Sequence, residues 1–392
     1  MLDGPAIASA DGRPPDGTDL SFVDRLRARY DRILSNPAFQ RWASSFPLTR
    51  PIARRRARAL FDLCAGFVYS QVLLAFVRLR LFEILADGPQ TLAELADRTR
   101  LPPASALRLL DAAVSLGLAA RRGNDRYGLG AHGAALQASP GVVAMVEHHA
   151  LVYRDLADPV ALLRGAVPET GLRQYWPYSG NDRPQSLSDE SVEAYSRLMS
   201  LSQPLVADTI LDACPLDRHR CLLDLGGGDG TFLSIVARRS PHLRLMLFDL
   251  PPVAARAAAR FAGSGLGARA TAHGGDFRRD SLPTGADVVS LVRVLHDHDD
   301  ESALEILRAA RGALPAGGTL LIGEPMADAP GAATVGAAYF GFYLMAMGQG
   351  RARTPHEIGR LLATTGFHQY TCLKTNIPLQ SGVIVARAAD NM

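Results

Sequence analysis

The sequence predicts an α/β protein: a Rossmann-like, doubly wound and largely parallel sheet in the C-terminal half, preceded by an all-helical segment and a winged helix. From residue 221 onward, short apolar runs typical of buried strands alternate with helical patterns. Before residue 140, three helical patterns are followed by "AARRGNDRYGL", which is typical of a hairpin with a Gly-Asn-Asp turn. With 392 residues, of which 47% are hydrophobic, the chain can form two substantial cores.

We expect four segments along the chain. They are a disordered tail over 1–20, a helical and winged-helix dimerisation domain over 21–140, a helical connector lining the substrate pocket over 141–205, and a cofactor-binding domain over 206–392. The tail carries acid and proline where a signal peptide needs a basic start and an apolar run. The most apolar run, Leu63 to Val77, is expected to be too short to cross a bilayer. Four widely spaced cysteines fit a reducing compartment, so we expect a soluble, cytoplasmic protein.

The winged helix is not expected to bind nucleic acid. Its third helix, "ASALRLLDAAVSLG", offers only Arg108 as a cation, whereas a recognition helix needs several base- and phosphate-reaching side chains. The formal charge of +3 also argues against a nucleic-acid partner. We expect this helix to pack against a partner subunit. The basic cluster "ARRRAR", Ala53 to Arg58, has two open interpretations, a solvated helix face or a patch that touches anionic lipid headgroups.

The C-terminal half opens on the strand "CLLDLG" and continues with the alternation of a doubly wound sheet. The further strands are predicted at "RLMLFDLP", "ARATAHGGDF", "DVVSLVRVLH" and "TLLIGEP". The helices between them are predicted at "TFLSIVARRSP", "PVAARAAARFAG" and "ESALEILRAARGAL".

The stretch "LLDLGGGDG", Leu222 to Gly230, is typical of a strand running into a nucleotide-binding glycine turn. It lacks the dinucleotide fingerprint G-x-G-x-x-G, because the sixth position counted from Gly226 is Thr231. We expect Gly226 and Gly228 to let the backbone approach a compact ligand without a seat for a pyrophosphate.

Two acids follow the next two strands. Asp249 is placed to accept hydrogen bonds from ribose hydroxyls. In "GGDF", Asp276 is placed to accept from an adenine amino group and Phe277 to contact the ring. Together they indicate an adenosine site without a phosphate site, for which S-adenosylmethionine is the commonest cofactor. The alternative is that both aspartates only cap the loops at the strand ends.

The segment "LVRVLHDHDDES" follows the next strand and carries the candidate base, His296. Residues just past the carboxyl ends of strands face the ligand crevice, so this histidine can take the proton of a hydroxyl that accepts a methyl group. Glu324, one strand end further, is expected to orient it. We interpret Asp299, Asp300 and Glu301 as the acidic first turn of a helix, and we predict no metal site.

These motifs resemble those of the plant-type O-methyltransferases, which use S-adenosylmethionine. The resemblance covers roughly residues 67–387 and rests on "LLDLGGGDG", "LFDLP", "GGDF", "LHDHDDE", "GEP" and "RTPHEIGRLLATTGF". It implies a class I methyltransferase domain, a homodimer whose partner helices help close the substrate pocket, His296 as base and Glu324 beside it. We also assign to the cofactor site two neighbours of these motifs, Leu250 and Arg293.

Within this family, the chain resembles the carotenoid O-methyltransferases of purple photosynthetic bacteria. That similarity rests on the stretches "ARRRARALFDLCAGFVYSQVLLAFVRLRLFEIL", "VEHHALVYRDLADPVALLR" and "MGQGRARTPHEIGRLLATTGF". It implies methylation of a 1-hydroxy carotenoid of the hydroxyneurosporene or demethylspheroidene type. Because carotenoids reside in membranes, we further expect peripheral contact with the inner, photosynthetic membrane. A long polyene would need an apolar tunnel, and five residues are expected to line it: Met199, Phe342, Met345, His149 and Tyr153.

The chain departs from the family at three positions. His298 stands where the family usually has tryptophan, Val292 where it often has lysine, and Ala352 where a second base-flanking glutamate is usual. Other functions stay open: methylation of a polyketide, phenazine, quinone or bacteriochlorophyll-type ring, a winged-helix regulator that senses S-adenosylmethionine, and a nicotinamide dehydrogenase. The missing third glycine opposes the dehydrogenase.

Overall fold

The computed structural model describes residues 21–176, 189–329, 331–379 and 381–390. Its contacts divide the chain into two units, Met1–Gln71 and Val72–Met392. The predicted tail over 1–20 lies outside the described residues, as does part of the predicted helical connector, 177–188.

The N-terminal unit is helical. It contains α1 (Phe22–Leu34), α2 (Pro37–Ser45) and the first part of α3 (Arg50–Arg78). Asn36 caps the N-terminus of α2, because its side chain accepts hydrogen bonds from the first backbone N–H groups of that helix. The predicted interruption at "FPLTRP" is present, because α2 ends at Ser45 and α3 begins at Arg50.

The length of α3 corrects one expectation. The apolar run from Leu63 is not an isolated short segment but part of a 29-residue helix. Among the described residues, α3 is the one helix long and apolar enough to cross a membrane, judged by length and composition alone. Near its end, Leu74, Phe76 and Val77 are buried in a hydrophobic cluster with the winged helix.

The winged helix is confirmed. Its elements are α4 (Leu81–Ala86), β1 (Gln90–Thr91), α5 (Leu92–Thr99), α6 (Pro103–Ser115), β2 (Ala119–Arg122) and β3 (Arg126–Leu129). The strands form an antiparallel sheet in the order β1-β3-β2. Asn124 and Asp125 make the predicted hairpin turn, both with positive φ, which these residue types tolerate better than most.

In the residues described on either side of 177–188, helices connect the wing to the large sheet. They are α7 (Ala131–Gln137), α8 (Pro140–Asp155), α9 (Pro159–Leu163), α10 (Gly171–Tyr175) and α11 (Asp189–Ala213).

The large sheet has seven strands in the order β6-β5-β4-β7-β8-β10-β9. The strands are β4 (Cys221–Leu225), β5 (Arg244–Asp249), β6 (Ala270–Gly274), β7 (Val288–Val292), β8 (Thr319–Glu324), β9 (Phe367–Leu373) and β10 (Gly382–Ala388). The first five are parallel neighbours, as predicted, and β10 is antiparallel to β8 and β9. The doubly wound fold is confirmed, whereas β9 and β10 were not predicted.

Helices cover both faces of this sheet. The remaining ones are α12 (Thr231–Arg239), α13 (Pro251–Gly263), α14 (Asp300–Ala313), α15 (Gly341–Met347) and α16 (Pro355–Thr364). Apolar side chains of α14 and α16 pack on one face, and those of α11, α12 and α13 pack on the other. The turn that carries the candidate base, a 3₁₀ turn over Leu295–Asp297, follows β7. A π-helix, Thr334–Phe340, runs directly into α15.

Candidate active site

A cavity lies where the parallel strands end, and its walls bring all of the predicted cofactor residues together. Ligands of open α/β sheets bind at this edge. The lining includes Gly226, Gly228, Asp249, Leu250, Asp276, Phe277 and Arg293 among the predicted residues, and Trp176, Gln203, Asp224, Asp297, His298 and Met347 besides.

The glycine turn adopts backbone conformations that other residues rarely reach. Gly226 has φ +66 and Gly228 has φ +60. A Cβ on Gly226 would approach Val294 Cγ2 to 2.9 Å, whereas one on Gly228 would meet nothing within 4 Å. A larger residue at Gly226 would therefore clash with Val294 as well as strain the backbone. At Gly228 the lack of a side chain leaves open space beside the backbone.

Asp249 is fixed by the backbone around it. Its Oδ2 accepts from the Gly228 N–H at 2.8 Å and its Oδ1 accepts from the Leu250 N–H at 2.7 Å. Burial raises the pKa of Asp249 to about 6, against the lowering effect of these two hydrogen bonds. The carboxylate is thus preorganised, with lone pairs left for a ligand.

Asp224 is a site residue that the sequence analysis missed. It lies in the fully buried strand β4, where Oδ1 accepts from Ser290 Oγ at 2.5 Å. Its Oδ2 is buried and has no hydrogen-bond partner in the described part of the chain. Burial raises the pKa of Asp224 to about 7, the Ser290 bond opposes this, and the nearby Asp249 adds to it. An acid inside an apolar strand was the available signal, since buried charge is costly without a partner.

Asp229, the acid of the glycine turn, holds three elements together. It accepts from Ser200 Oγ of α11 at 2.5 Å and from Thr231 Oγ1 at 2.7 Å, and it pairs with Arg260 of α13. Arg260 compensates the negative charge of Asp229. Through these contacts Asp229 ties the glycine turn to α11 and α13.

Asp276 and Phe277 lie side by side in the cavity wall. Asp276 is buried and accepts from the Arg278 N–H at 2.9 Å, so it does cap its own loop. Phe277 meets the ring of His298 edge-on, with centroids 6.0 Å apart. His298, which replaces the family's tryptophan, therefore still supplies a flat ring next to Phe277. Burial lowers the pKa of His298.

Arg293 also lines the cavity, but its guanidinium turns to α11. It donates to Ser202 Oγ at 2.8 Å and to the Met199 carbonyl at 3.2 Å. These bonds hold α11 beside the segment that follows β7.

His296 is buried between two carboxylates. Its Nε2 lies 2.9 Å from Asp297 Oδ1, and its Nδ1 lies 3.6 Å from Glu324 Oε2. Glu324 is fully buried and its Oε2 accepts the backbone N–H of His296 at 3.1 Å. Burial alone would lower the pKa of His296, but Asp297 and then Glu324 outweigh it and raise the pKa to about 10. The site therefore stabilises a protonated imidazole.

A buried arginine holds the turn that carries His296. Arg353 donates to the Leu295 carbonyl at 2.7 Å, to the His298 carbonyl at 2.8 Å and to Asp300 Oδ1 at 2.8 Å. The sequence analysis did not identify this residue, although it begins the "RTP" motif. Asp299 and Asp300 lie at the start of α14 as predicted, with Asp299 accepting the Ser302 N–H.

An aromatic layer lies beside His296. The Phe340 ring centroid is 6.1 Å from that of His296, and Tyr339 and Tyr343 stack on each other. Tyr343 contacts His148 Nε2 at 2.7 Å and accepts from Trp176 Nε1 at 3.2 Å. The layer's polar tips thus pair with one another. Burial lowers the pKa of His148 to about 4 and keeps it neutral.

The five residues predicted to line the substrate pocket have different positions. Met199 lines the cavity, and Met345 packs against the aromatic layer. His149 Nε2 lies 2.7 Å from the Tyr339 hydroxyl, and Tyr153 meets the His149 ring edge-on. Phe342 is half-buried on α15. The ring next to His296 is that of Phe340, two positions before Phe342. Two positions correspond to a rotation of about 200° around the axis of an α-helix.

Within the described residues, no group of three or more His, Cys, Asp or Glu side chains is placed to hold a metal ion.

Comparison with known proteins identifies the family. The O-methyltransferase domain model matches residues 153–368, and the O-methyltransferase dimerisation domain model matches residues 61–139. The chain belongs to the O-methyltransferase family. It is therefore an S-adenosylmethionine-dependent methyltransferase with a small-molecule substrate, and its dimerisation domain makes it a homodimer.

Curated relatives in the family span nearly the whole chain. The demethylspheroidene O-methyltransferase of Cereibacter sphaeroides is 44% identical over 96% of this chain and 98% of its own length. That of Rhodobacter capsulatus is 42% identical over 96% of this chain and 90% of its own.

Solved structures of the family have the same fold. Human N-acetylserotonin methyltransferase, solved with its cofactor, has a TM-score of 0.70 at 24% identity, covering 85% of this chain and 98% of its own. Mitomycin 7-O-methyltransferase has a TM-score of 0.69 at 25% identity, covering 86% of this chain and 100% of its own.

Two family departures have visible consequences in this methyltransferase. Ala352 packs against the aromatic layer, so no second glutamate reaches the base from this position. Val292 is buried at the end of β7. The second acid beside His296 is instead its chain neighbour, Asp297.

Proposed function

We propose that this methyltransferase transfers a methyl group to the 1-hydroxyl of an acyclic carotenoid of the hydroxyneurosporene or demethylspheroidene type. The product is a methoxy carotenoid of spheroidene-type biosynthesis. One observation carries the proposal: 44% identity, over 96% of this chain, to a demethylspheroidene O-methyltransferase.

S-adenosylmethionine supplies an electrophilic methyl group when it is bound. In our proposal Asp249 holds the ribose hydroxyls, Asp276 and Phe277 the adenine, and the glycine turn leaves room for the chain of the ligand. Asp224 Oδ2 and Gln203 Oε1 have no hydrogen-bond partner among the described residues, and both fit its ammonium group as acceptors. These donors and acceptors suit a cationic adenosine derivative and include no cradle for phosphate.

His296 accepts the hydroxyl proton as the carbon–oxygen bond forms. In our proposal Glu324 accepts the backbone N–H of His296 and, 3.6 Å from Nδ1, stabilises charge on the ring, and Asp297 stabilises the imidazolium that results. The resting imidazole must lose its proton before it can act, because its pKa is raised to about 10.

A tertiary alcohol cannot be ionised in advance by an imidazole, since even a phenol has a pKa of about 10. The main contribution of the site is therefore positioning of the acceptor oxygen in line with the methyl group. Well-oriented groups gain roughly 7–11 kcal/mol in this way. The clamp of Arg353 on the His296 turn serves this positioning.

The aromatic layer suits an apolar acceptor. Its hydroxyl and imidazole groups pair internally, so the layer of Phe340, Tyr339 and Tyr343 is apolar on the side of an acceptor placed beside it in our proposal. Met199, Met345, His149, Tyr153 and Phe342 remain proposed lining residues. Because carotenoids reside in membranes, we place the enzyme in the cytoplasm at the surface of the inner membrane.

A mass-resolved assay tests this function. The enzyme, S-adenosylmethionine and a 1-hydroxy carotenoid in detergent micelles are compared with a panel of phenols that includes N-acetylserotonin, because mouse acetylserotonin O-methyltransferase is 34% identical over 80% of this chain. We expect methylation of the carotenoid alone. Methylation of a phenol and not the carotenoid would keep the enzyme class and discard the acceptor.

A further inference from the structure

Residues 21–60 carry a basic surface with exposed apolar side chains; we call them the basic helical segment. They include ten arginines, two aspartates, and no lysine or glutamate. Within the described part of the chain, only Arg27 and Arg58 of these ten lie within 4 Å of a carboxylate, each at 3.9 Å. Most of this positive charge is therefore uncompensated by neighbouring carboxylates.

Helix α1 is amphipathic yet buries none of its residues. Phe22, Leu26, Tyr30 and Ile33 are spaced by four, four and three residues, so they share one face. They are 69%, 52%, 52% and 44% exposed. Arginines at 25, 29 and 32 flank this stripe on the helix. A basic helix with an open apolar face is the form that lies in a lipid–water interface.

Helix α2 adds aromatic rings. Trp42 stacks on Phe46 with centroids 5.1 Å apart and contacts Phe39, yet it is 52% exposed. Leu48, in the following turn, is 80% exposed. Amphipathic rings of this kind are enriched at the level of lipid headgroups.

A second copy of the chain is the competing occupant of this surface, and three observations favour a bilayer. The dimerisation domain model begins at residue 61, after the basic helical segment. Two copies of a segment with ten arginines and two aspartates repel one another, whereas anionic lipid attracts both.

Coverage of the relatives is the third observation. The human and mitomycin enzymes match over 98–100% of their own chains but leave about 15% of this chain unmatched. Residues 1–60 make up the same share of this chain, about 15%. The demethylspheroidene relatives, by contrast, match over 96% of this chain.

We propose that the basic helical segment docks the enzyme on an anionic lipid bilayer, with the arginines at the headgroups and the apolar face of α1 and the rings of α2 in the interface. This inference rests on the proposed function for its purpose, because an acyclic carotenoid must be collected from a membrane. The docking itself needs neither acceptor nor methyl donor.

Vesicle flotation of the full chain tests the docking. The vesicles are phosphatidylcholine alone or mixed with phosphatidylglycerol, at low and high salt. We expect binding to the anionic vesicles only, weakened by salt. The variant R54Q/R55Q/R58Q is expected to bind about 100-fold more weakly, since each arginine near the surface contributes about fivefold. The variant L26S/I33S, altered on an exposed face, is expected to lose the salt-resistant part of binding.

A matched control removes three exposed arginines of the other unit, R218Q/R308Q/R360Q, and is expected to bind like the unaltered enzyme. Equal loss in both triple variants would overturn the proposal, because net charge alone would then explain it. Loss of the dimer in L26S/I33S, measured by sedimentation velocity, would also overturn it and assign the surface to a second copy. Tighter binding of the full chain to nucleic acid than to the vesicles would also overturn the proposal.

Methylation in detergent micelles separates this inference from the proposed function. R54Q/R55Q/R58Q is expected to keep its turnover with carotenoid in micelles and to lose it with carotenoid in anionic vesicles. An enzyme that floats with vesicles but methylates no carotenoid would leave the docking standing and remove the acceptor.

Discussion

His296 lies between Asp297 and Glu324, and in our proposal it accepts the proton of the acceptor hydroxyl. We expect His296→Ala to lower kcat by about 10²- to 10⁴-fold, the usual contribution of a general base. Donor affinity, measured by calorimetry, is expected to stay within a factor of a few. His356→Ala, at an exposed position on α16, is the control. Unchanged turnover in His296→Ala would remove the base from the mechanism.

The pH dependence of kcat follows from the raised pKa of His296. The base acts in its neutral form, so the rate is expected to rise with pH toward the pKa of about 10 instead of levelling near 6.5. Asp297→Asn removes the carboxylate nearest to Nε2, which lowers that pKa and moves the rising limb to lower pH. If the rise of kcat occurs at the same pH in Asp297→Asn as in the unaltered enzyme, this account of the base is contradicted.

Donor binding is expected to depend on Asp249. Asp249→Asn should weaken it by roughly 1.5–3 kcal/mol, the range for hydrogen bonds to a charged group. Because the pKa of Asp249 is raised to about 6, the affinity of the unaltered enzyme should fall as pH drops through that value. Asp217→Asn, at an exposed position, serves as control in the same calorimetric titration. Equal affinity in both variants would exclude Asp249 from the cofactor site.

At the scale of elements, the turn over Leu295–Asp297 depends on Arg353. Arg353→Met leaves the Leu295 and His298 carbonyls without its hydrogen bonds, at about 1–3 kcal/mol for each buried group. We expect a lower free energy of unfolding in urea and a lower kcat with little change in donor affinity. Arg353→Lys should recover part of both, since it keeps the charge and some of the donors. Arg360→Met is the exposed counterpart, and an equal effect there would argue against the clamp.

The elements that the sequence predicts well are those with local signals. Asp249, Asp276 and Glu324 could be found because each follows an apolar run, and a strand end faces the crevice. Arg353 could not, because its bonds reach residues more than 50 positions away.

The helix before α15 shows another limit of sequence periodicity. It is a π-helix, and its wider turn shifts which residues share a face. The structure places Phe340 of this helix beside His296, and Phe342 stays a predicted lining residue. Strand β9 escaped prediction because it is mostly exposed at the sheet edge and lacks an apolar run.

At the scale of the whole molecule, three parts divide the work. In our proposal the large sheet and its helices hold the donor and the base. Residues 61–139 match the dimerisation domain, and the basic helical segment precedes both matched domains. In our account an apolar acceptor is collected at a membrane surface and positioned beside His296.

The most direct test is a competition in one reaction vessel. A 1-hydroxy carotenoid and N-acetylserotonin, both in micelles, compete for a donor with a trideuterated methyl group, and mass spectrometry follows the label in each. We predict label only on the carotenoid oxygen, with incorporation lost in His296→Ala at unchanged donor affinity. Label on N-acetylserotonin, or full incorporation into the carotenoid by His296→Ala, would contradict the account.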